Sequence, residues 1–238
     1  TALEGPILRR YIVSRRWYRE KSLKIRGMRL RDAVSLGAGD DLSWIAMIEL
    51  DFTDDTQATY AVPLAAAFGE AVEEIHGEYE GAILAHLGNN EGGGVLYDGV
   101  YSSTFRERLL EALASQKKLK GENGSILIGR GRSLRRQAAL EETAEASRVL
   151  KAEQSNSSIL YKDTFFFKLY RKLEAGVNPD IELLRYLSED AGFRNVPGYA
   201  GSLEYQPQRG ESEALGLLMD LVPNQGDAWS YTLGAVDR

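Results

Sequence analysis

Lys168 stands near the end of an apolar run, Thr164-Phe165-Phe166-Phe167-Lys168-Leu169-Tyr170, and Glu182 lies one turn inside a helix signalled by Asn178-Pro179-Asp180. A polar stretch, Glu153-Gln154-Ser155-Asn156-Ser157-Ser158, precedes them. A loop that folds over phosphates, a lysine on the next strand and a glutamate on the following helix are the parts with which a kinase-type small lobe holds nucleotide. Taken alone, Lys168 reads as an edge-strand lysine whose stem lies on apolar surface while its ammonium reaches water. Glu182 alone is a first-turn glutamate facing the positive end of a helix dipole. Together, in this order, they predict an ammonium fixed by a carboxylate where it can touch α- and β-phosphates.

The phosphate-side residues are then Ser155, Asn156 and Ser157, with their backbone N–H groups. The glycines of a G-x-G-x-x-G loop are missing, and Ser and Asn also fill many ordinary hairpin turns. A second apolar run, Leu215-Gly216-Leu217-Leu218-Met219-Asp220-Leu221-Val222, exits into Pro223-Asn224-Gln225-Gly226-Asp227-Ala228-Trp229. In a small kinase lobe this exit is the hinge, with backbone groups at Asp220 and Val222 facing adenine. A core strand ending in a proline loop explains the same residues equally well.

The elements that must position these groups follow from periodicity and punctuation. Alternation puts Phe165, Phe167 and Leu169 on one face of their strand and Phe166, Lys168 and Tyr170 on the other. Strand signals recur at 148–153, 158–161, 164–170, 201–205 and 215–222, interrupted by a helix over 179–190. Upstream, a short helix is expected over 9–19 with Tyr11, Ile12 and Trp17 inward, then strands at 23–36, 43–52 and 57–63, with a turn at Asp54-Asp55. Residues 64–75 are expected as a helix, 81–87 as a strand, and Asn89–Gly94 as a break in regular structure. Ser102 or Ser103 caps a helix running to Lys118, with Phe105, Leu109, Leu110 and Leu113 on one face, ended by Gly121-Glu122-Asn123-Gly124. The polar segment 130–142 carries no clear signal. The class is α+β, with antiparallel sheets and few helices.

The chain has 238 residues, 43% hydrophobic and 27% charged, with a net charge of −6, which is ordinary for a globular protein and gives no sign of nucleic acid as a general partner. Without cysteine, disulfides and thiolate metal sites are excluded, and two histidines, His76 and His86, argue against a histidine-rich metal centre. No apolar run is long enough to span a bilayer, no signal-peptide pattern opens the chain, and a cytoplasmic protein is expected. Basic residues crowd positions 9–31, whereas 33–105 contains no Lys or Arg and many carboxylates. A phosphate or nucleic-acid patch is one reading. Pairing within one domain is the preferred one, because the two stretches are adjacent and complementary.

The segment Leu150–Glu182, with Leu221-Val222-Pro223-Asn224-Gln225-Gly226-Asp227-Ala228-Trp229-Ser230-Tyr231-Thr232-Leu233, resembles the maltokinase family, which is often fused to trehalose synthase in bacteria. The Arg16-Trp17-Tyr18 region and the strands after it are similar to that family's N-terminal cap, although Trp17–Lys21 departs from the usual phenylalanine-and-glycine version. The resemblance implies a cystatin-like cap with a curved antiparallel sheet over 1–98 and a connecting helix over 99–124. An aminoglycoside-phosphotransferase-like ATP lobe with one αC-type helix would follow over 125–222, with the hinge and the start of a further lobe over 223–238. It implies an ATP- and Mg2+-dependent kinase that makes maltose 1-phosphate for trehalose and α-glucan metabolism. Lys168 would contact phosphate, Glu182 would be its partner, Ser155, Asn156 and Ser157 would form the phosphate loop, and Asp220 and Val222 the hinge. Catalytic base, metal ligands and maltose pocket belong to a C-terminal kinase lobe with no match here, so the chain by itself is expected to be inactive. Two other readings stay open: a related kinase with another acceptor, and a non-catalytic interaction module.

Overall fold

The computed structural model describes residues 3–37, 43–88, 93–115, 117–136, 146–150, 155–224, 226 and 228–236. Two antiparallel sheets and a helix between them organise the chain. The first sheet contains β1 (Ile25–Ser35), β2 (Ser43–Phe52), β3 (Gln57–Phe68), β4 (Ile83–Leu87) and β5 (Gly94–Asp98), in the order β1-β2-β3-β5-β4. Helix α1 (Leu8–Ser14) ends sooner than the expected 9–19, and it buries Leu8, Tyr11 and Ile12 in a cluster with Ile48, Tyr60 and Trp17, the last beyond the helix. Helix α2 (Ala71–Tyr79) packs Ile75 against Ala65, Ala67 and Val95.

Helix α3 (Ser103–Ser115) leads to the second sheet, its amide at Phe105 capped by Ser102 Oγ at 3.2 Å. That sheet holds β6 (Leu119–Lys120), β7 (Gly124–Arg130), β8 (Ser147–Leu150), β9 (Asn156–Tyr161), β10 (Phe165–Tyr170), β12 (Tyr199–Pro207) and β13 (Glu213–Asp220). Their order is β6-β7-β12-β13-β10-β9-β8. Short helices α4 (Arg132–Arg136) and α5 (Pro179–Arg185) lie between strands, and α6 (Ala228–Val236) comes last. Among the described residues no helix is long and apolar enough to cross a membrane.

The sheets share one core. Phe105, Leu109, Leu110 and Leu113 of α3 join Val34, Ile45 and Met47 of the first sheet to Phe165, Phe167, Leu169, Leu215 and Leu218 of the second. Each fully buried side chain of this kind contributes about 1.5–3 kcal/mol. The backbone also crosses over: after β10, the two-residue strand β11 (Lys172–Leu173) pairs with Tyr60 and Thr59 of β3, and Ala61 N–H donates to Arg171 O at 2.7 Å. The buried carboxylate of Asp32 on β1 accepts from Tyr205 OH at 2.9 Å and from the amides of Glu122 and Asn123 at 3.0 and 3.1 Å, gripping the β6–β7 turn. In the basic segment, Arg26 pairs with Asp55 and Arg29 with Glu49, both acids of the same sheet, whereas Arg31 reaches Glu213 of the other.

Three sequence-based expectations are corrected. Leu64–Phe68 is strand, not helix, because it lies between β2 and β5 in register with Trp44 and Ser43 on one side and Asp98 to Gly94 on the other. Alanine's helix preference amounts to well under about 1 kcal/mol per residue, less than a ladder with burial on both sides supplies. The helix starts only after Gly69, whose φ is +61°. Gly94 opens β5 rather than breaking it; a Cβ there would lie 2.6 Å from the Phe68 ring, so the glycine permits close strand approach. Residues 89–92 of the expected break lie outside the described residues. Finally, Gly121–Gly124 closes the β6–β7 hairpin, with Gly121 N–H bonded to Gly124 O at 3.0 Å, rather than ending α3.

Candidate functional site

Strand β10 is an interior strand of the second sheet, with Lys168 opposite Ser158 of β9 and Leu217 of β13. Its other face feeds the shared core, which leaves Phe166, Lys168 and Tyr170 directed at α5. Asn178 starts that helix, its side-chain oxygen accepting from the amides of Asp180 and Ile181 at 3.0 and 3.4 Å, with Pro179 at the first turn. Ile181 and Leu184 anchor the helix against Tyr170, Tyr199, Ala214 and Leu217.

This anchoring fixes the rotation of α5 and decides which carboxylate meets the lysine. Lys168 Nζ donates to Asp180 Oδ2 at 2.6 Å, and Tyr170 OH donates to the same oxygen at 3.3 Å. The expected Lys168–Glu182 pairing is therefore corrected to Lys168–Asp180. Two residues along a helix turn a side chain by about 200°. Glu182 accordingly is exposed and lines a different cleft of about 390 Å3, with Gly176, Tyr186 and Glu204. The hydrogen bond from Lys168 holds the Asp180 carboxyl below the usual aspartate range, against a smaller upward push from burial. Burial, followed by the Asp180 charge, pushes the Tyr170 phenol up, so it stays a donor.

The Lys168–Asp180 pair borders a cleft of about 290 Å3 that also touches Arg19, Ser155, Asn156 and Lys172. Three cations (Arg19, Lys168 and Lys172) and the amides of Asn156 and Asn178 offer donors to an anionic, phosphate-like group, against the carboxylates of Asp180 and Glu174 in the same lining. Lys172 is tied to Glu20 at 2.7 Å. Burial raises the Glu20 carboxyl, but hydrogen bonds from Lys172 and Tyr60 outweigh it and leave the group below its ordinary value.

The remaining predicted residues separate. Ser155 and Asn156 reach the cleft, Asn156 standing opposite Tyr170 in the register. Ser157 is opposite Leu169, hence on the core-directed face, where its hydroxyl accepts from Arg171 Nε at 2.8 Å. Its side chain is spoken for, and only its backbone is left for a phosphate role. Glu153 and Gln154 lie outside the described residues. Asp220 ends β13; its amide donates to Gly198 O at 2.9 Å and its carboxylate accepts from Ser133 Oγ. Val222 follows, half exposed, with its carbonyl accepting from Asn224 Nδ2 at 3.2 Å. Lys168 and Asp220 are three strand positions apart, about 10 Å.

Sequence reasoning missed two features. Asp180 was legible as a first-turn acid, but nothing local says which of two nearby carboxylates turns toward β10. The partly exposed Phe166 and Met219, paired across β10 and β13, form an apolar strip between Lys168 and Asp220. The alternation of both strands carried that signal.

A seven-stranded antiparallel sheet with a lysine–carboxylate pair between an interior strand and the following helix has the arrangement of a kinase-like lobe. Residues 11–101 match the family model described as the maltokinase N-terminal cap domain. This part of the chain is similar to that cap domain. The chain's fold is that of solved glucosamine kinase structures. One, in complex with glucosamine, ADP and inorganic phosphate, superposes with a TM-score of 0.52 at 17% identity, covering 90% of this chain and 40% of that one. Two further crystal forms give TM-scores of 0.53 and 0.52 at 16% identity, covering 88% and 98% of this chain and 38% and 45% of theirs. The chain thus spans about two fifths of the length of the structures it matches.

Proposed function

We propose that this chain is the cap and ATP-side lobe of an ATP-dependent sugar kinase that phosphorylates maltose at its anomeric hydroxyl. The observation that carries the reading is the Lys168–Asp180 ion pair beside a cleft that Arg19 and Lys172 also line, joined by the Phe166–Met219 strip to the strand exit at Asp220 and Val222. Lys168 holds the α- and β-phosphates, the Asn156 amide and the backbone at Ser155 and Ser157 cover them, and adenine lies on Phe166 and Met219 against the backbone of Val222. Asp180 keeps the ammonium in place, the task assigned to a glutamate in protein kinases.

In the reaction, the maltose hydroxyl oxygen forms a bond to the γ-phosphorus, the bond from that phosphorus to the β,γ-bridging oxygen breaks, and ADP leaves. The hydroxyl proton goes to a base in a C-terminal lobe. Metal and acceptor would be held by that further lobe. A trehalose synthase domain in the same polypeptide is the further partner the family resemblance suggests, in a cytoplasmic setting.

The test is MgATP titration of the intact protein and its Lys168→Met variant, alongside maltose-dependent ADP release against a sugar panel. We expect affinity to fall at least tenfold, since a charge-assisted phosphate contact is worth about 1.5–3 kcal/mol. Equal affinity for the two proteins would point to a non-catalytic module. Preference for another sugar would retain the kinase and replace the acceptor.

A further inference from the structure

A second cationic cleft, of about 330 Å3, opens on the opposite side of β9 from Lys168, where the cap meets the lobe. It is lined by Arg15, Arg16 and Trp17 after α1 and by Asn156, Ser157 and Arg171 of the lobe. Asn156 borders both clefts.

Arg171 is the unusual member. Its side chain is 1% exposed, yet only part of its guanidinium is used. Nη2 donates to Asp98 at 2.8 Å, Nε donates to Ser157 Oγ at 2.8 Å, and the Trp17 ring stacks 5.0 Å from Cζ. Nη1 is buried without a hydrogen-bond partner among the described residues. A buried charged donor left unpaired is costly, so such a group is expected to have a ligand. Asp98 does not supply it: its carboxylate is filled by Arg171 Nη2, Tyr11 OH at 2.7 Å and Val100 N–H at 3.2 Å. Arg15 is held by Ser14 Oγ and Gly81 O, but Arg16 is exposed at the mouth. The lining carries three positive charges and the single negative charge of Asp98.

We infer that this junction binds a phosphate-class oxyanion, either free phosphate or a phosphate monoester, between Arg171 Nη1 and Arg16. Forked guanidinium donors suit such an oxyanion better than they suit water. An occupant would bridge Arg16 of the cap to Arg171 of the lobe. The inference does not depend on what the Lys168 cleft binds.

Equilibrium dialysis of labelled inorganic phosphate against the intact protein, at constant ionic strength, tests it. Arg16→Ala removes an exposed side chain outside the nucleotide cleft and should weaken phosphate binding about fivefold or more. Arg26→Ala, at an exposed ion pair outside both clefts, should leave it unchanged. The reverse pattern, or no saturable binding at millimolar phosphate, overturns the inference. Competition with glucose 1-phosphate identifies the source: displacement that is also sensitive to Arg16→Ala assigns the site to phosphate monoesters, and no displacement assigns it to free phosphate.

Discussion

Lys168 and Asp180 meet at 2.6 Å between an interior strand of one sheet and the first turn of the helix that follows it. Glu182, one helical position beyond Ile181, is turned away by the same packing that seats Ile181 against Tyr170 and Leu217. The identity of the lysine's partner is thus a consequence of which apolar residue anchors α5.

This geometry ranks two conservative substitutions. Asp180→Asn should weaken nucleotide binding by about fivefold to tenfold, because the ammonium loses its charged restraint in a partly exposed site. Glu182→Gln should change it by less than about twofold, as expected of a surface position. Fluorescent-nucleotide titration of both variants decides the matter; a larger effect at Glu182 would mean that α5 rotates when nucleotide binds.

The same pair sets a pH dependence. The folded-state pKa of Asp180 lies below its unfolded value, chiefly through the Lys168 hydrogen bond. The stabilisation it gives is therefore fully present above the ordinary aspartate range and is lost as pH falls through the lowered folded value. At neutral and mildly acidic pH the pair should be intact. An NMR titration of the Asp180 carboxyl should show a midpoint below the ordinary one, returning toward it in Lys168→Met. A midpoint at or above the ordinary value in the unmodified protein would contradict the pairing.

Arg171 and Asp98, each 1% exposed, tie the lobe to the cap. Breaking a buried pair from one side strands a charge, and Asp98→Ala should destabilise the protein by about 3–5 kcal/mol. Removing both charges in Arg171→Met with Asp98→Leu should cost less than the two single changes added together. Denaturant unfolding of the three variants measures this, and strict additivity would mean that the ion pair is not the coupling.

Gly216, beside Leu169 on β13, has no room for a side chain. A Cβ would lie 2.3 Å from the Phe167 ring and 3.1 Å from Lys168 O. Gly216→Ala should therefore cost about 1–3 kcal/mol through displaced packing. Because Phe167 precedes Lys168, nucleotide affinity should fall with stability. Unchanged melting and unchanged affinity together would show that β10 shifts freely.

Much of the local architecture was readable from residue order, because its causes are local. Alternation over 164–170 put Phe167 and Lys168 on opposite faces, since successive strand side chains must diverge. Asn178-Pro179-Asp180 announced the helix that carries the partner carboxylate, since cap, proline and acid each act within one turn. Ser157 was read with its neighbours as one loop, yet the same alternation sends its hydroxyl to Arg171 and the side chain of Asn156 to the Lys168 cleft.

By itself, the sequence determined that Lys168 ends an apolar strand ahead of a capped, acid-bearing helix, and that the basic residues of 9–31 have carboxylates nearby to meet. Only the tertiary structure decided that Asp180 rather than Glu182 turns to the lysine, that Leu64–Phe68 is strand, and that Arg171 is buried against the cap. Each of those outcomes depends on groups brought together from distant positions: Ile181 on Leu217, β3 between β2 and β5, Arg171 on Asp98. Propensity and capping act over a few residues and are written in order along the chain. Helix rotation, strand pairing and burial are settled by which distant surfaces pack together, and no local stretch of residues specifies that.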